Sequence, residues 1–198
     1  MRIIGLAGGI GSGKSTVADF LKEFGAVTID LDKTGHEALK QADVRDRLIG
    51  EFGNAILNAD GDIDREILGN IVFKKPGALE KLNAIVHPAI DAVVAEKTSK
   101  CRQQGVKILV VEAAAMLEAK RDWQVDEIWV TITIEETVIE RVKNRPGLTG
   151  EAIKARIRSQ MSNEERVKLA DVVIENDGTL EELEEKVTLE IRRLRERI

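Results

Sequence analysis

Gly8-Gly9-Ile10-Gly11-Ser12-Gly13-Lys14-Ser15 is the stretch on which the reading of this chain turns. It follows the apolar run Ile3-Ile4-Gly5-Leu6-Ala7 and precedes a segment with helical spacing, so strand, glycine-rich turn and helix stand in the order a Gly-x4-Gly-Lys-Ser/Thr phosphate loop requires. Glycines let the backbone curl around phosphate oxygens without a Cβ in the way, and the helix start adds its own N–H groups. Gly9, Gly11, Ser12 and Gly13 form the cradle, Lys14 reaches the β- and γ-phosphates, Ser15 offers a hydroxyl to Mg2+, and Thr16 can meet the α-phosphate. The expected ligand is a nucleoside triphosphate. A turn that merely joined strand to helix would not explain the residues, because four glycines in the six positions from Gly8 to Gly13 weaken a helix start. The dinucleotide fingerprint Gly-x-Gly-x-x-Gly fails as well: counted from Gly9 and Gly11, its third glycine falls on Lys14.

Composition narrows the class. The chain has 198 residues, 43% of them hydrophobic, which suits one domain with a sizeable core. A net charge of -5 and only six aromatics (two Trp, four Phe) argue against a nucleic-acid partner. The single cysteine, Cys101, excludes an internal disulfide framework and fits a reducing compartment, at an ordinary helix or loop position. No apolar run approaches membrane-spanning length, and a strand starts directly after Met1-Arg2 without the regions of a signal peptide. A soluble, cytoplasmic protein with no membrane partner is expected, and its oligomeric state is left open.

Five β-type runs, Arg2 to Ala7, Ala26 to Ile29, Lys107 to Val111, Glu127 to Thr133 and Val172 to Ile174, alternate with helical segments. This pattern predicts an α/β protein with a five-stranded parallel sheet flanked by helices. The continuous apolar run Ile108-Leu109-Val110-Val111 predicts the central strand. About 75 residues separate the second and third runs, far beyond an ordinary crossover, and predict an inserted helical subdomain. Its helices are expected near 33–41, 44–52, 64–73 and 76–102, with Pro88 kinking or restarting the last. Ser162-Asn163-Glu164-Glu165 and Thr179-Leu180-Glu181-Glu182 read as capping boxes. In the final helix, early Glu181, Glu182, Glu184 and Glu185 and late Arg192, Arg193, Arg195 and Arg197 match the helix dipole and read as a solvated face.

Several other residues could carry chemistry. Alternation along an extended segment would send Asp30 and Asp32 to one side, where Asp32 could accept a proton or hold a water of the Mg2+ shell; a helix N-cap is the other role open to it. Glu112 ends an apolar strand, as a second acidic element near Mg2+ would, and as many solvated strand ends do. Arg141 and Arg145 share a helical face and, as guanidinium groups, can bind phosphate oxygens or serve as plain surface charges. Pro146-Gly147 suggests a hinged lid, with Arg156 and Arg158 in the same basic region. Asn58 to Asp64 fails as a calcium loop, since its sixth position is Ile63 and its twelfth Gly69, and reads as an acidic turn before a helix. On these grounds alone His87 is a structural histidine.

Together these residues resemble the dephospho-coenzyme A kinase family over nearly the whole chain. The resemblance is carried by the phosphate loop through Thr16, Ile29-Asp30-Leu31-Asp32, Phe52-Gly53, Asp60-Gly61-Asp62-Ile63-Asp64-Arg65 and Leu79-Glu80-Lys81-Leu82. His87-Pro88, Arg141, Arg145, Gln160, Ala170-Asp171 and Asn176 complete it. It implies transfer of the γ-phosphoryl group of ATP, with Mg2+, to the 3′-hydroxyl of dephospho-coenzyme A. It also implies a P-loop kinase fold in one domain: a core at about 1–32, 105–135 and 170–198, a helical substrate subdomain at about 33–104 and a lid at about 136–169. In that scheme Lys14, Asp32 and Arg141 are catalytic, Arg145 and Asn176 join the nucleotide site with Asn176 near adenine, and Ser15 holds the metal. Arg65, His87 and Pro88 meet the acceptor. Where the family commonly reads Pro-Leu-Leu-Phe-Glu, this chain has Ala113-Ala114-Ala115-Met116-Leu117-Glu118, a form similar to the kinase portion of the fused animal coenzyme A synthase, with Glu118 in the acid's place at the acceptor.

Two other readings share the phosphate loop. Another metabolite kinase, of the nucleoside monophosphate kinase kind, differs only in its acceptor. A GTP-driven switch is disfavoured, because Asp32-Lys33-Thr34-Gly35 follows the loop too closely and no Asn-Lys-x-Asp guanine reader occurs.

Overall fold

The computed structural model describes residues 1–119, 124–143 and 150–197. The chain divides into two units, one of Met1–Asp30 with Lys100–Ile198 and one of Leu31–Ser99. In the first unit the strands are β1 (Arg2–Gly8), β2 (Val27–Asp30), β3 (Ile108–Glu112), β4 (Glu127–Ile132) and β5 (Val172–Glu175). All pair in parallel, in the order β2-β3-β1-β4-β5. The five predicted strands are therefore present, each within a residue or so of its expected ends. β1 and not β3 takes the middle place. β3 is buried at all five positions because it too has a strand on each side, so its composition could not tell it from the centre.

Helices cover the sheet because the strands bury both faces. Ile4, Leu6, Val110, Trp129 and Ile174 form one core with Val17 and Leu21 of α1 (Lys14–Glu23) and Val187 and Ile191 of α9 (Leu180–Arg195). Burying a side chain of this size contributes about 1.5–3 kcal/mol. On the other side of β1, Gly5 makes room for Met116: a Cβ at Gly5 would come within 2.8 Å of its sulfur. Both predicted capping boxes are present, Ser162 with Glu165 at α8 (Asn163–Leu169) and Thr179 with Glu182 at α9. The backbone N–H of Ser162 and then its hydroxyl hold the Glu165 carboxyl below its ordinary pKa. The late arginines of α9 are not all a solvated face. Arg193 pairs with Glu127 at 3.1 Å, and Arg195 donates to the Phe24 carbonyl at 2.7 Å with its guanidinium 5.7 Å from the Phe24 ring centre.

The second unit is helical: α2 (Leu31–Ala38), α3 (Ala42–Phe52), α4 (Arg65–Lys74) and α5 (Ala78–Gln103), whose last residues belong to the first unit. Its own core gathers Ala38, Val44, Leu48, Ile56, Leu68 and Val86. The acidic turn is as expected. Asn58 accepts from the N–H groups of Asp60 and Asp62, and Asp64 caps α4 by accepting from those of Glu66 and Ile67. One expectation fails outright and one in part. α5 runs as one helix through Pro88, which does not restart it, since Ile85 and Val86 before the proline and Ala89 and Ile90 after it stay packed on one core. The strand β2 stops at Asp30 and α2 begins at Leu31, so the extended alternation expected to align Asp30 with Asp32 does not exist.

Along the rest of the chain lie α6 (Glu135–Val142) and α7 (Gly150–Arg158). Their Val138, Val142 and Ile153 make a small core with Ile10 at the tip of the phosphate loop. Cys101 is a buried, free thiol in α5.

Candidate active site

Parallel strands carry their carboxyl ends to one edge of the sheet, and four of those ends build this site. β1 runs out at Gly8 into the phosphate loop, and α1 starts at Lys14. Gly13 precedes it with φ +88°, a left-handed conformation that a side chain strains. The first turn of α1 contains no acidic residue and receives no side-chain cap, so its N–H groups are left for an anion. The loop's other glycines are pressed against neighbours. A Cβ at Gly8 would lie 2.1 Å from the Thr131 hydroxyl, and one at Gly11 would lie 3.0 Å from Val138.

β3 ends in Glu112, beside Leu6 in register, and its carboxylate meets the Lys14 ammonium at 3.1 Å. This side-chain carboxylate is only 9% exposed. The strand-end acid is thus buried and paired, which settles against a merely solvated glutamate. The end of β4 and the residue after it supply two hydroxyls. Thr131 shares a 2.6 Å hydrogen bond with Ser12, and Thr133 donates towards the carbonyls of Ser12 and Asn176 at 3.3 and 3.1 Å. Asn176 follows β5. Its amide donates to the Ser12 carbonyl at 2.8 Å and accepts from Arg141 of α6 at 3.3 Å.

From the other side, Gln160 accepts the Ile10 N–H at 2.9 Å, and Arg166 of α8, 4% exposed, pairs with Glu118 at 3.0 Å. Both side chains stand against Gly9, whose Cβ would come within 3.0 Å of the Arg166 guanidinium and 3.3 Å of the Gln160 oxygen. Arg166 and Thr133 were not singled out from the sequence. A charged residue in a capped helix and a threonine at a strand end look like any other.

The resulting cavity is about 590 Å³. Lys14, Arg141 and Arg156 line it, and no carboxylate does among the described residues. In a protein of net charge -5 these three cations, Lys14 paired with Glu112 and two arginines, leave a local positive excess that, joined to a helix N-terminus, suits a polyanion. Ser15 and Thr16 also line it. No group of three or more His, Cys, Asp or Glu that could hold a metal ion occurs among the described residues. Mg2+ suits such a donor set, because it keeps waters and binds through phosphates with few protein ligands.

The sequence profile described as dephospho-CoA kinase matches residues 2–182. The chain belongs to the dephospho-CoA kinase family. A dephospho-CoA kinase of Dehalococcoides mccartyi is 43% identical over 189 residues, 96% of this chain and 96% of that one. Among solved structures, a Thermus thermophilus protein superposes with a TM-score of 0.86 at 33% identity, covering 98% of this chain and 97% of its own. A dephospho-CoA kinase from Campylobacter jejuni gives 0.72 at 28% identity, with 98% of each chain covered. The protein is thus an ATP-dependent kinase of this family with the P-loop kinase fold. No helix among the described residues is long and apolar enough to cross a membrane.

The remaining residues that the family resemblance singled out fall in three places. Asp32 lies in the first turn of α2. Arg65 and His87 line one pocket of about 260 Å³ within the helical unit, walled by Leu39, Leu68, Val72 and Val86; Pro88 adjoins His87 in α5 without lining it. Glu118 also accepts the Met161 N–H at 3.2 Å, in addition to pairing with Arg166. Arg145 and the expected Pro146-Gly147 hinge lie outside the described residues. Glu118→Ala leaves the buried Arg166 guanidinium without its carboxylate and is expected to cost ~2–4 kcal/mol, the scale of a broken, mostly buried ion pair. Thermal unfolding measures it. An unchanged melting temperature would mean that the pair does not hold this corner together.

Proposed function

We propose that this kinase transfers the γ-phosphoryl group of ATP to the 3′-hydroxyl of dephospho-CoA, giving CoA and ADP, and that it does so in the cytoplasm with Mg2+. The observation that supports this most is the three-cation cavity at the end of β1 in a chain of this family. Phosphoryl transfer needs positioning and charge neutralisation more than covalent help. The backbone from Gly9 to Gly13 cradles the phosphates, Lys14 draws charge towards the β- and γ-oxygens, and Thr16 meets the α-phosphate. Arg141 neutralises the group in flight. Mg2+, held through the Ser15 hydroxyl, would add further charge compensation. Asn176 and Arg145 belong to the nucleotide site, and the segment from about 136 to 169, with Arg156 on α7, serves as the lid.

The acceptor falls to the helical unit. The pocket of Arg65 and His87 offers apolar walls for a pantetheine arm and a guanidinium for its diphosphate, with Pro88 stiffening α5 beside it and Glu118 contributing at the acceptor end. Asp32 takes the proton of the 3′-hydroxyl. As the new O–P bond forms, the bond from the γ-phosphorus to the bridging oxygen breaks, and ADP leaves with its electrons.

ADP release with a panel of acceptors tests the assignment. Dephospho-CoA is expected to give turnover well above background, whereas AMP, shikimate and gluconate are not. The reverse pattern would place the protein among other metabolite kinases. Asp32→Asn is expected to bind ATP normally and to lose ~10²-fold in kcat, the range for removal of a general base. Near-parental turnover in that variant would remove Asp32 from the mechanism.

A further inference from the structure

We propose that Asn176 is a positioning residue that fixes the phosphate loop and the Arg141 guanidinium in a single register, and that it does not read the base of the nucleotide. Its backbone is anchored first: the Asn176 N–H donates to the Ile132 carbonyl at 2.9 Å. Its side chain is then fully directed. A carbonyl can only accept and a guanidinium can only donate, so the Ser12 carbonyl at 2.8 Å and Arg141 at 3.3 Å leave one orientation for the carboxamide, nitrogen to the loop and oxygen to the arginine. Thr133 reinforces both contacts. Its single proton serves the Ser12 or the Asn176 carbonyl, and its lone pair accepts from Arg141 at 3.4 Å.

The fit against the loop is close. A Cβ on Gly13 would stand 2.0 Å from the Asn176 amide nitrogen, so with the amide in this place position 13 has room only for glycine. Both partners of Arg141 in this cluster are neutral, which orients the guanidinium without cancelling its charge. Asn176 lines the cavity but is only 5% exposed, and both ends of its amide are engaged inside the protein, which leaves its carboxamide oxygen and nitrogen occupied by Arg141 and Ser12.

The inference rests on the reading that Arg141 meets the transferring phosphoryl group. Steady-state kinetics with ATP and with inosine triphosphate, on Asn176→Ala, Asn176→Asp, Arg141→Ala and the Asn176→Ala/Arg141→Ala pair, tests it. Asn176→Ala is expected to lower kcat ~30-fold, within the range of a catalytic group misplaced by an ångström. In the Arg141→Ala background the same change should cost less than ~3-fold, because the group it positioned is gone. Asn176→Asp is isosteric but sets an oxygen against the Ser12 carbonyl and pairs Arg141 with a carboxylate that cancels its charge, so it should raise KM for ATP ~10-fold and also lower kcat ~10-fold or more. The preference for ATP over inosine triphosphate should stay unchanged throughout.

Losses that multiply in the double variant would overturn the coupling to Arg141, as would a parental kcat in Asn176→Ala. Loss of the preference for ATP would make Asn176 a base reader. Near-parental turnover in Arg141→Ala alone would overturn the reading of Arg141 and the positioning role with it, whereas a deep loss there beside independent Asn176 effects would overturn only the latter. Should Asn176→Ala fail to fold, the KM and kcat of Asn176→Asp decide.

Discussion

Lys14→Met should lose ~10³-fold or more in kcat, because in the proposed mechanism it removes the ammonium that draws charge towards the β- and γ-phosphates. Methionine keeps the apolar stem and deletes only the ammonium. The substitution also strands Glu112, whose carboxylate has Lys14 as its cation at 3.1 Å, and the buried acid should lower stability by ~1–3 kcal/mol. The two effects separate by measurement. ADP release at saturating ATP reports the first, and thermal unfolding the second. A variant within tenfold of parental kcat would mean that Lys14 is held by Glu112 for structural reasons and that the phosphates meet other cations.

Gly13→Ala carries the second large effect, through the backbone. The position has φ +88°, which costs an L-residue ~1–2 kcal/mol, and the added Cβ would sit 2.0 Å from the Asn176 amide. Overpacking of this kind costs a further ~1–3 kcal/mol, and it is relieved either by the loop lifting away from Asn176 or by the Asn176 amide giving up its bond to the Ser12 carbonyl, so that the loop loses its anchor. Either way the N–H groups leave their common focus, and ATP affinity should fall ~10²-fold or more. Gly25→Ala is the control. Its φ of +85° imposes the same backbone strain with nothing within 4 Å of the new Cβ, so it should lose stability and keep ATP affinity. Calorimetry with Mg2+ and ATP on both variants distinguishes strain from displacement. Equal losses of affinity would show that the Asn176 contact is irrelevant.

Much of the fold was legible because its signals are local. The strand, glycine turn and lysine of residues 3–15 lie side by side, and each capping box spans four residues, so neighbouring side chains carry the whole message. Strand existence followed from apolar runs, but strand order did not. β1 and β3 are both buried between neighbours, and which one lies in the middle depends on pairings made far along the chain. The exit from β2 was misread for a related reason. Asp30 and Leu31 look continuous in sequence, yet the helical unit begins between them. A proline in a helical pattern also does not say whether the helix restarts, and here the core contacts of α5 on both sides of Pro88 keep it one helix despite one missing hydrogen bond.

The site divides in the same way. The cradle and Lys14 could be read directly, whereas the groups that hold them in place are distant in sequence and chemically ordinary. Asn176 reaches Ser12 across 164 positions, Gln160 reaches Ile10 across 150, and Arg166 finds Glu118 across 48. An asparagine after a strand or an arginine in a short helix has no spacing rule that would announce such a contact. Only the fold brings them together.

The position of the transferred phosphorus is the most direct test of the account. Protein incubated with Mg2+, dephospho-CoA and ATP labelled in the γ-phosphoryl group should release one ADP for each labelled product, and that product should carry the label as a phosphomonoester on the ribose 3′-oxygen. Label found only as inorganic phosphate, or on a nucleoside monophosphate supplied in competition while dephospho-CoA stays unmodified, would contradict it.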